Sequence, residues 1–305
     1  MRRLVVGAAA LLATAGAPTP PEKVVRLGDT EAVTVNGVPA RLTIDPAAPG
    51  LPMVTPGIAA AAKMKGGGLI GFGVAYSVGN ETVYGRTAVT RFGAGPAPGK
   101  RRVGWTPRPY RAGVDAVMGP AGLDEPVVRF VLHAPAANER SGAAELPRDG
   151  GLFSQWFGMA ARIDVGGRPL RVRFAPYQPR TIANAAAARA LADALGGRMT
   201  GETRSELIAF GIERPVRRMT LSRPLGVGPL FLDSVEVRTA DTGSVARIPE
   251  ATDAPPPAAD PDEVVVTAKG KRPRPGVLTL GMDVLARCSS IVFDKPAKLV
   301  RLSCG

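Results

Sequence analysis

The sequence predicts a mainly β protein made of two similar halves with few, short helices. Three observations carry this. Short runs that alternate apolar and polar residues recur along the chain, bounded by Gly and Pro, the pattern of half-buried antiparallel strands. One element occurs twice, 130 residues apart. Only two segments carry helical start and stop signals.

In chain order, the opening Met1-Arg-Arg-Leu-Val-Val-Gly-Ala-Ala-Ala-Leu-Leu-Ala-Thr-Ala15 has a basic start, a short apolar run and an Ala-x-Ala end. That is the pattern of a secretory signal peptide over residues 1–17, cut after Ala15 or Ala17. The run is shorter than the roughly 20 residues that span a bilayer, and no integral membrane span is expected elsewhere. The expectation is a periplasmic or secreted protein.

The first half, residues 25–138, contains strand-like runs at 32–35, 40–44, 69–75, 87–92 and 127–132, with a short helix expected over Gly57–Lys65. The second half, residues 152–305, contains runs at 161–165, 170–174, 217–221 and 230–237. A helix is expected over Ala185–Leu195, capped by Asn184 and stopped by Gly196-Gly197. Residues 139–151 read as the linker between halves, and 248–275, rich in Pro, Ala and charge, as a disordered insertion. The repeated element is Val35 to Pro49 and Val165 to Pro179. Val35/Val165, Gly37/Gly167, Pro39/Pro169, Arg41/Arg171, Pro46/Pro176 and Pro49/Pro179 match in register. A second pair, Asp115–Leu123 and Val277–Leu285, shares an apolar-Gly pattern with Leu four residues after the Gly, in the same order along the chain.

Composition narrows function. Lys and Arg outnumber Asp and Glu to give +13, yet aromatics are 5% and no basic run is interleaved with stacking side chains. Nucleic acid is therefore not the expected partner. The single histidine, His133, argues against most zinc sites and Ser-His or Cys-His triads; it reads as an ordinary strand-end side chain. No cofactor or metal is expected. Cys288 and Cys304 flank a hairpin-like stretch and read as a disulfide in an oxidising compartment. Trp105 and Trp156 read as packing residues.

Taken together, Ile44-Asp45-Pro46-Ala47-Ala48, Val117-Met-Gly119, Thr279-Leu-Gly281-Met-Asp-Val-Leu285 and the closing 291–302 hairpin resemble the aspartic-protease clan, both its retropepsin-like and its two-lobed pepsin-like members. The resemblance spans about residues 30–135 and 158–302 as an ordered set of short elements. It implies two similar acid-protease lobes, each with a strand ending at an active-site loop, and a catalytic Asp at position 45. It also implies an inter-lobe cleft for a peptide or protein segment, covered by a flap-like hairpin near Val83-Tyr84-Gly85.

The departures from that family decide the expected activity. Its chemistry uses two carboxylates sharing a proton, and here Ala175 stands opposite Asp45. Pro46 and Ala47 replace the hydroxyl residue and the glycine of the active loop, removing a donor and adding a methyl. Tyr177 and Gln178 sit where the second loop would be completed. Neither is an acid at neutral pH, and Asp283 reads as a helix cap. The expectation is a catalytically degenerate protein that binds a peptide segment through Pro46, Ala47, Tyr177, Gln178 and Tyr84. An active aspartic-type endopeptidase using Asp45 with an unrecognised acid is a second reading. A scaffold acting through 248–275 is a third. Within that stretch, Asp262-Glu-Val-Val-Val-Thr-Ala268 resembles the energy-coupling box of TonB-dependent receptors. It implies a TonB-like partner engaged by strand addition.

Overall fold

The computed structural model describes residues 20–66, 73–147, 156–241, 244–251 and 276–305. The expected signal peptide, most of the 248–275 insertion and the TonB-box-like segment lie outside the described residues. The strands are β1 (Glu22–Arg26), β2 (Glu31–Val35), β3 (Val38–Ile44), β4 (Met53–Val54), β5 (Gly73–Val78), β6 (Glu81–Gly93), β7 (Lys100–Trp105), β8 (Ala116–Met118), β9 (Val127–Val131) and β10 (Arg140–Glu145). They continue as β11 (Ala161–Val165), β12 (Arg168–Phe174), β13 (Ile182–Ala183), β14 (Gly197–Ala209), β15 (Ile212–Val227), β16 (Leu230–Arg238), β17 (Gly276–Leu280), β18 (Cys288–Asp294) and β19 (Leu299–Cys304). The helices are α1 (Pro56–Ala61), α2 (Ala185–Leu195) and α3 (Met282–Leu285), so the protein is mainly β.

The strands form two sheets. One runs β2-β3-β8-β4-β7-β6-β5; the other runs β1-β9-β18-β19-β10-β11-β12-β17-β13-β16-β15-β14. The last seven strands of the larger sheet reproduce the smaller one with every strand number advanced by nine. Pairing sense is reproduced as well. β3 is parallel to β8 as β12 is to β17, and β4 is antiparallel to β8 as β13 is to β17. The remaining strands come from both halves: β9, from the first, pairs with β18, from the second.

Local chemistry explains the repeated centre. In β12, Leu170, Val172 and Phe174 point into the main core while Arg171 and Arg173 alternate to the other face, as strand geometry requires. β3 uses the same alternation with Ala40, Leu42 and Ile44 inward. The loop after each strand then bends under a neighbouring glycine. A Cβ on Gly119 would overlap the Ala48 carbonyl, and one on Gly281 would overlap the Arg180 backbone. Both glycines are fixed by close backbone approach, which is why the apolar-Gly element occurs twice.

Helix α2 matches its expected bounds. Asn184 caps it by accepting from Ala187 N at 2.8 Å, and Gly196 closes it at φ 71°. Helix α1, capped by Thr55, starts one residue before its 57–65 expectation and ends four residues before it, because the chain turns at Ala62–Lys63. Two segments differ from expectation. The linker over 139–151 is a strand in part: β10 pairs along its length with β19, contributing main-chain bonds that its small-residue sequence does not advertise. The first four residues of the expected 248–275 insertion pack on the fold. Ile248 is buried, Pro249 O accepts from Met199 N at 2.8 Å, and Glu250 pairs with Arg217 at 2.8 Å.

Cys288 and Cys304 are disulfide-bonded at directly paired positions of β18 and β19. They are separated by 16 positions in the sequence, and loop closure of this size contributes about 3 kcal/mol. His133 follows β9 as an exposed side chain against its neighbouring carbonyl.

The glycine contacts set a prediction. Gly281→Ala must displace the Arg180 backbone, so it destabilises by about 1–3 kcal/mol or more, as overpacking does. Urea midpoints measure it, and an unchanged midpoint would show that the loop has room.

Candidate functional site

Asp45 follows directly from β3, with its N–H donating to Met118 O on β8 at 3.0 Å. Its carboxylate is 3% exposed. Oδ1 accepts from Ala47 N at 2.9 Å, and Oδ2 accepts from Arg111 Nη1 at 3.3 Å. The Arg111 guanidinium lies 3.8 Å over the Tyr177 ring, a cation–π contact that reaches into the loop after β12. Tyr110, the preceding residue, donates its hydroxyl to Ala47 O at 3.3 Å. Tyr110 and Arg111 therefore clamp the Asp45 loop together. Burial pushes the Asp45 carboxyl above its ordinary value, outweighing the Ala47 N–H and the Arg111 charge, which pull it down.

Ala175 holds the corresponding place after β12, its N–H donating to Leu280 O at 2.8 Å on the partner strand β17. It is buried and brings no carboxyl group. Pro46 is buried beside Asp45, and Ala47 is half-buried at the cavity edge. Gln178 donates from Nε2 to Ile208 O at 2.7 Å, while its Oε1 is shut from solvent without a hydrogen-bond partner. Tyr84 does not join these groups: it stands mid-strand in β6 opposite Ala75 and is 73% exposed. The β5–β6 hairpin does exist, but it turns at Gly79, not near Tyr84. Asp283 is not the cap of α3. Gly281 holds that position, and the Asp283 carboxylate accepts from Thr181 N at 3.0 Å and Oγ1 at 2.7 Å.

A cavity of about 540 Å³ opens between the two halves, within the size range of small-ligand pockets. Its walls come from β5 and the loop after β3 on one side, and from β12, β14, β16 and β17 on the other. Tyr110, Trp156, Ile208 and Phe210 supply an apolar part. Over it, the tips of two hairpins meet: Val78 of β5–β6 packs with Phe210 and Ile212 of β14–β15. Arg214 donates to Val78 O at 2.7 Å and pairs with Glu81 at 3.1 Å.

The charged lining is one-sided. Among the described lining residues, Arg171, Arg173 and Arg238 face one carboxylate, Asp241, which pairs with Arg238 at 2.9 Å. Arg173 is half-buried, has no ion-pair partner among the described residues, and its Nε is shut from solvent without a hydrogen bond. Burial pulls its guanidinium below the ordinary value; Tyr110 opposes this, and the Arg171 and Arg238 charges add smaller effects in the same direction as burial. Asp45 is absent from the cavity wall.

Sequence reasoning identified Asp45, Ala175, Ala47 and Gln178 but missed Arg111, Tyr110 and the arginines. The Arg171–Arg173 alternation between Leu170, Val172 and Phe174 was a readable signal for a charged strand face. Arg111 had none, because it reaches Asp45 across 66 residues. Trp156, expected only to pack, lines the cavity, and its carbonyl accepts from Leu51 N at 3.3 Å. Among the described residues no group of three or more His, Cys, Asp or Glu side chains is placed to hold a metal ion. None of their helices is long and apolar enough to cross a membrane.

No protein-family model matches the chain, and no curated protein matches it.

The Asp45 environment predicts a pH dependence. A folded-state carboxyl value above its unfolded one means stability is fully present below the ordinary value of 3.8. That stability is lost as pH rises from there through the raised folded value, at about 1.4 kcal/mol per pH unit of displacement. Asp45→Asn keeps the Ala47 N–H bond at Oδ1 but gives up the Arg111 bond, since its Nδ2 only donates; free of the buried charge, its stability relative to the wild type should rise with pH over this window. Urea midpoints of both at about pH 3.5, 5 and 7 test the sign; a gap that moves the other way would mean that Arg111 outweighs burial.

Proposed function

We propose that this protein is an exported, catalytically degenerate relative of the aspartic proteases that holds a peptide segment in the cavity between its halves. The observation that carries the reading is the state of Asp45. Its two oxygens are taken by Ala47 N and Arg111, it stands off the cavity wall, and its structural counterpart is Ala175. A proton-sharing carboxylate pair, with a water held between, has no second member here.

Binding is supported by the cavity wall itself. β5 ends one sheet and β14 ends the other, and residues of both line the cavity. On β14, Ile208 O is already taken by Gln178 Nε2 and Met199 pairs with residues 249–251, so the β5 edge is the one that offers an extended segment main-chain pairing. The repeated strand order with its glycine-seated loops supports the kinship. The Met1–Ala15 pattern and the Cys288–Cys304 bond support export to a periplasmic or extracellular setting.

The test is a cleavage assay of the mature protein against a mixed peptide library from acidic to neutral pH, beside Asp45→Asn. The expected result is no cleavage by either protein, with some peptides retained by both. Cleavage that vanishes in the variant would establish the hydrolase instead.

A further inference from the structure

The arginine-rich wall of the cavity belongs to neither the Asp45 loop nor the hairpin tips, and the geometry points to what it recognises. We propose that the bound peptide carries a carboxylate that seats against Arg173, flanked by Arg171 and Arg238, with a main-chain N–H of the same peptide donating to Gln178 Oε1. This inference rests on the peptide-binding reading and names the chemistry of its ligand.

Four observations carry it. First, Arg171 and Arg173 are consecutive outward positions of β12, so the strand's pleat aims both at the cavity while Leu170, Val172 and Phe174 anchor the strand in the core. The two guanidinium stems are thus held by a rigid element and not by a loop. Second, among the described residues three arginines and one aspartate line the wall, an excess of two positive charges. Arg238 is already engaged by Asp241, and Arg173 has no carboxylate of its own among the described residues. A desolvated cation without a counter-ion is costly, and an arriving carboxylate offsets that cost with charge-assisted hydrogen bonds to a planar donor fork.

Third, Gln178 Oε1 is a buried acceptor without a donor among the described residues. Its own Nε2 is committed to Ile208 O, so the amide is oriented and its oxygen waits for an N–H. A cation and an acceptor lining one cavity match the end of a peptide, or an acidic residue within one, better than they match an inorganic anion, which has no donor for the glutamine. Fourth, Tyr110, Trp156, Ile208 and Phe210 supply an apolar surface in the same cavity, suited to a large side chain next to the carboxylate.

The carboxylate has two sources within a peptide, its C-terminus and an Asp or Glu side chain. Titration calorimetry on the mature protein separates them with three N-acetylated probes. These are Ala-Leu-Phe as the free acid, the same peptide as its C-terminal amide, and Glu-Leu-Phe as the amide. At least one acid-bearing probe should bind tenfold or more tighter than the neutral amide, and which one does so identifies the source. Arg173→Met should erase that preference while leaving the neutral amide within about twofold, and Arg173→Lys should restore part of it.

Arg173→Met also reports on folding. Removing an unpaired, desolvated charge should leave its melting temperature at or above that of the wild type, so lost binding in this variant is not lost structure. Equal affinity for all three probes would overturn the carboxylate inference and leave peptide binding standing. No binding of any probe, with decanoate nevertheless changing the Trp156 fluorescence, would overturn the peptide reading itself. An acid preference that survives Arg173→Met would place the carboxylate elsewhere and overturn the assignment to this wall.

Discussion

The architecture depends on a steric constraint used twice: a strand can turn sharply beneath its parallel neighbour only where that neighbour lacks a side chain. Gly119 and Gly281 provide the gap, and the loops after β3 and β12 fill it. The Asp45 N–H to Met118 O and the Ala175 N–H to Leu280 O are the same bond in the two halves. Each loop is then closed by the same turn, Ala48 N to Asp45 O and Gln178 N to Ala175 O. Once both loops are seated this way, whatever residue follows the strand is delivered to the middle of the molecule. Geometry is conserved between the halves, and chemistry is free to diverge.

The divergence is electrostatic. The first half places a carboxylate at the centre and covers it with Arg111, itself covered by Tyr177 from the second half. The second half places a methyl there and carries its charge two and four residues earlier, as Arg173 and Arg171 on the β12 face. The counterparts on β3 are Thr43, which is buried, and Arg41, which is exposed and paired with Asp115. The two halves therefore differ at the centre, an internal ion pair on one side and a wall of arginines on the other. The first arrangement is nearly self-satisfied, since both oxygens of Asp45 have donors. In the second, among the described residues Arg173 Nε and Gln178 Oε1 are buried without partners, and unsatisfied buried polar groups on one cavity wall are where function is to be sought.

Much of the frame was legible from sequence because it rests on local chemistry. Asn184 before an alanine-rich run, with Gly196 after it, encodes α2 without reference to the rest of the chain. The alternations of β3 and β12 encode which face is core. What escaped was non-local. Arg111 sits in a Pro- and Gly-punctuated stretch with no periodicity, and its partners lie 66 residues before and 66 after it. β10 escaped because Arg-Ser-Gly-Ala-Ala-Glu has little strand propensity; its pairing with β19 supplies the order that its side chains do not. Ile248 escaped because a single apolar anchor inside a Pro-rich stretch carries no pattern. Tyr84 misled for the opposite reason, since a tyrosine near a glycine in a hairpin suggests a tip, while the β5–β6 register sets the turn five residues earlier, at Gly79.

The roof of the cavity is built differently from its floor. The floor is strand β12, locked into the main core by Phe174 and Leu170. The roof is a separate small cluster, Val78, Phe210 and Ile212, joined across the halves by those contacts and by Arg214. Regions with few buried apolar contacts open at lower free energy than the core. Opening at this roof therefore leaves the arginine wall in place, because no residue of β12 belongs to the roof cluster. A ligand entering there meets a preorganised cation on a rigid strand, so little ordering of the protein is needed to bind it. The same separation means that a substitution at Phe210 or Val78 acts on entry and closure, whereas one at Arg173 acts on what is recognised once inside.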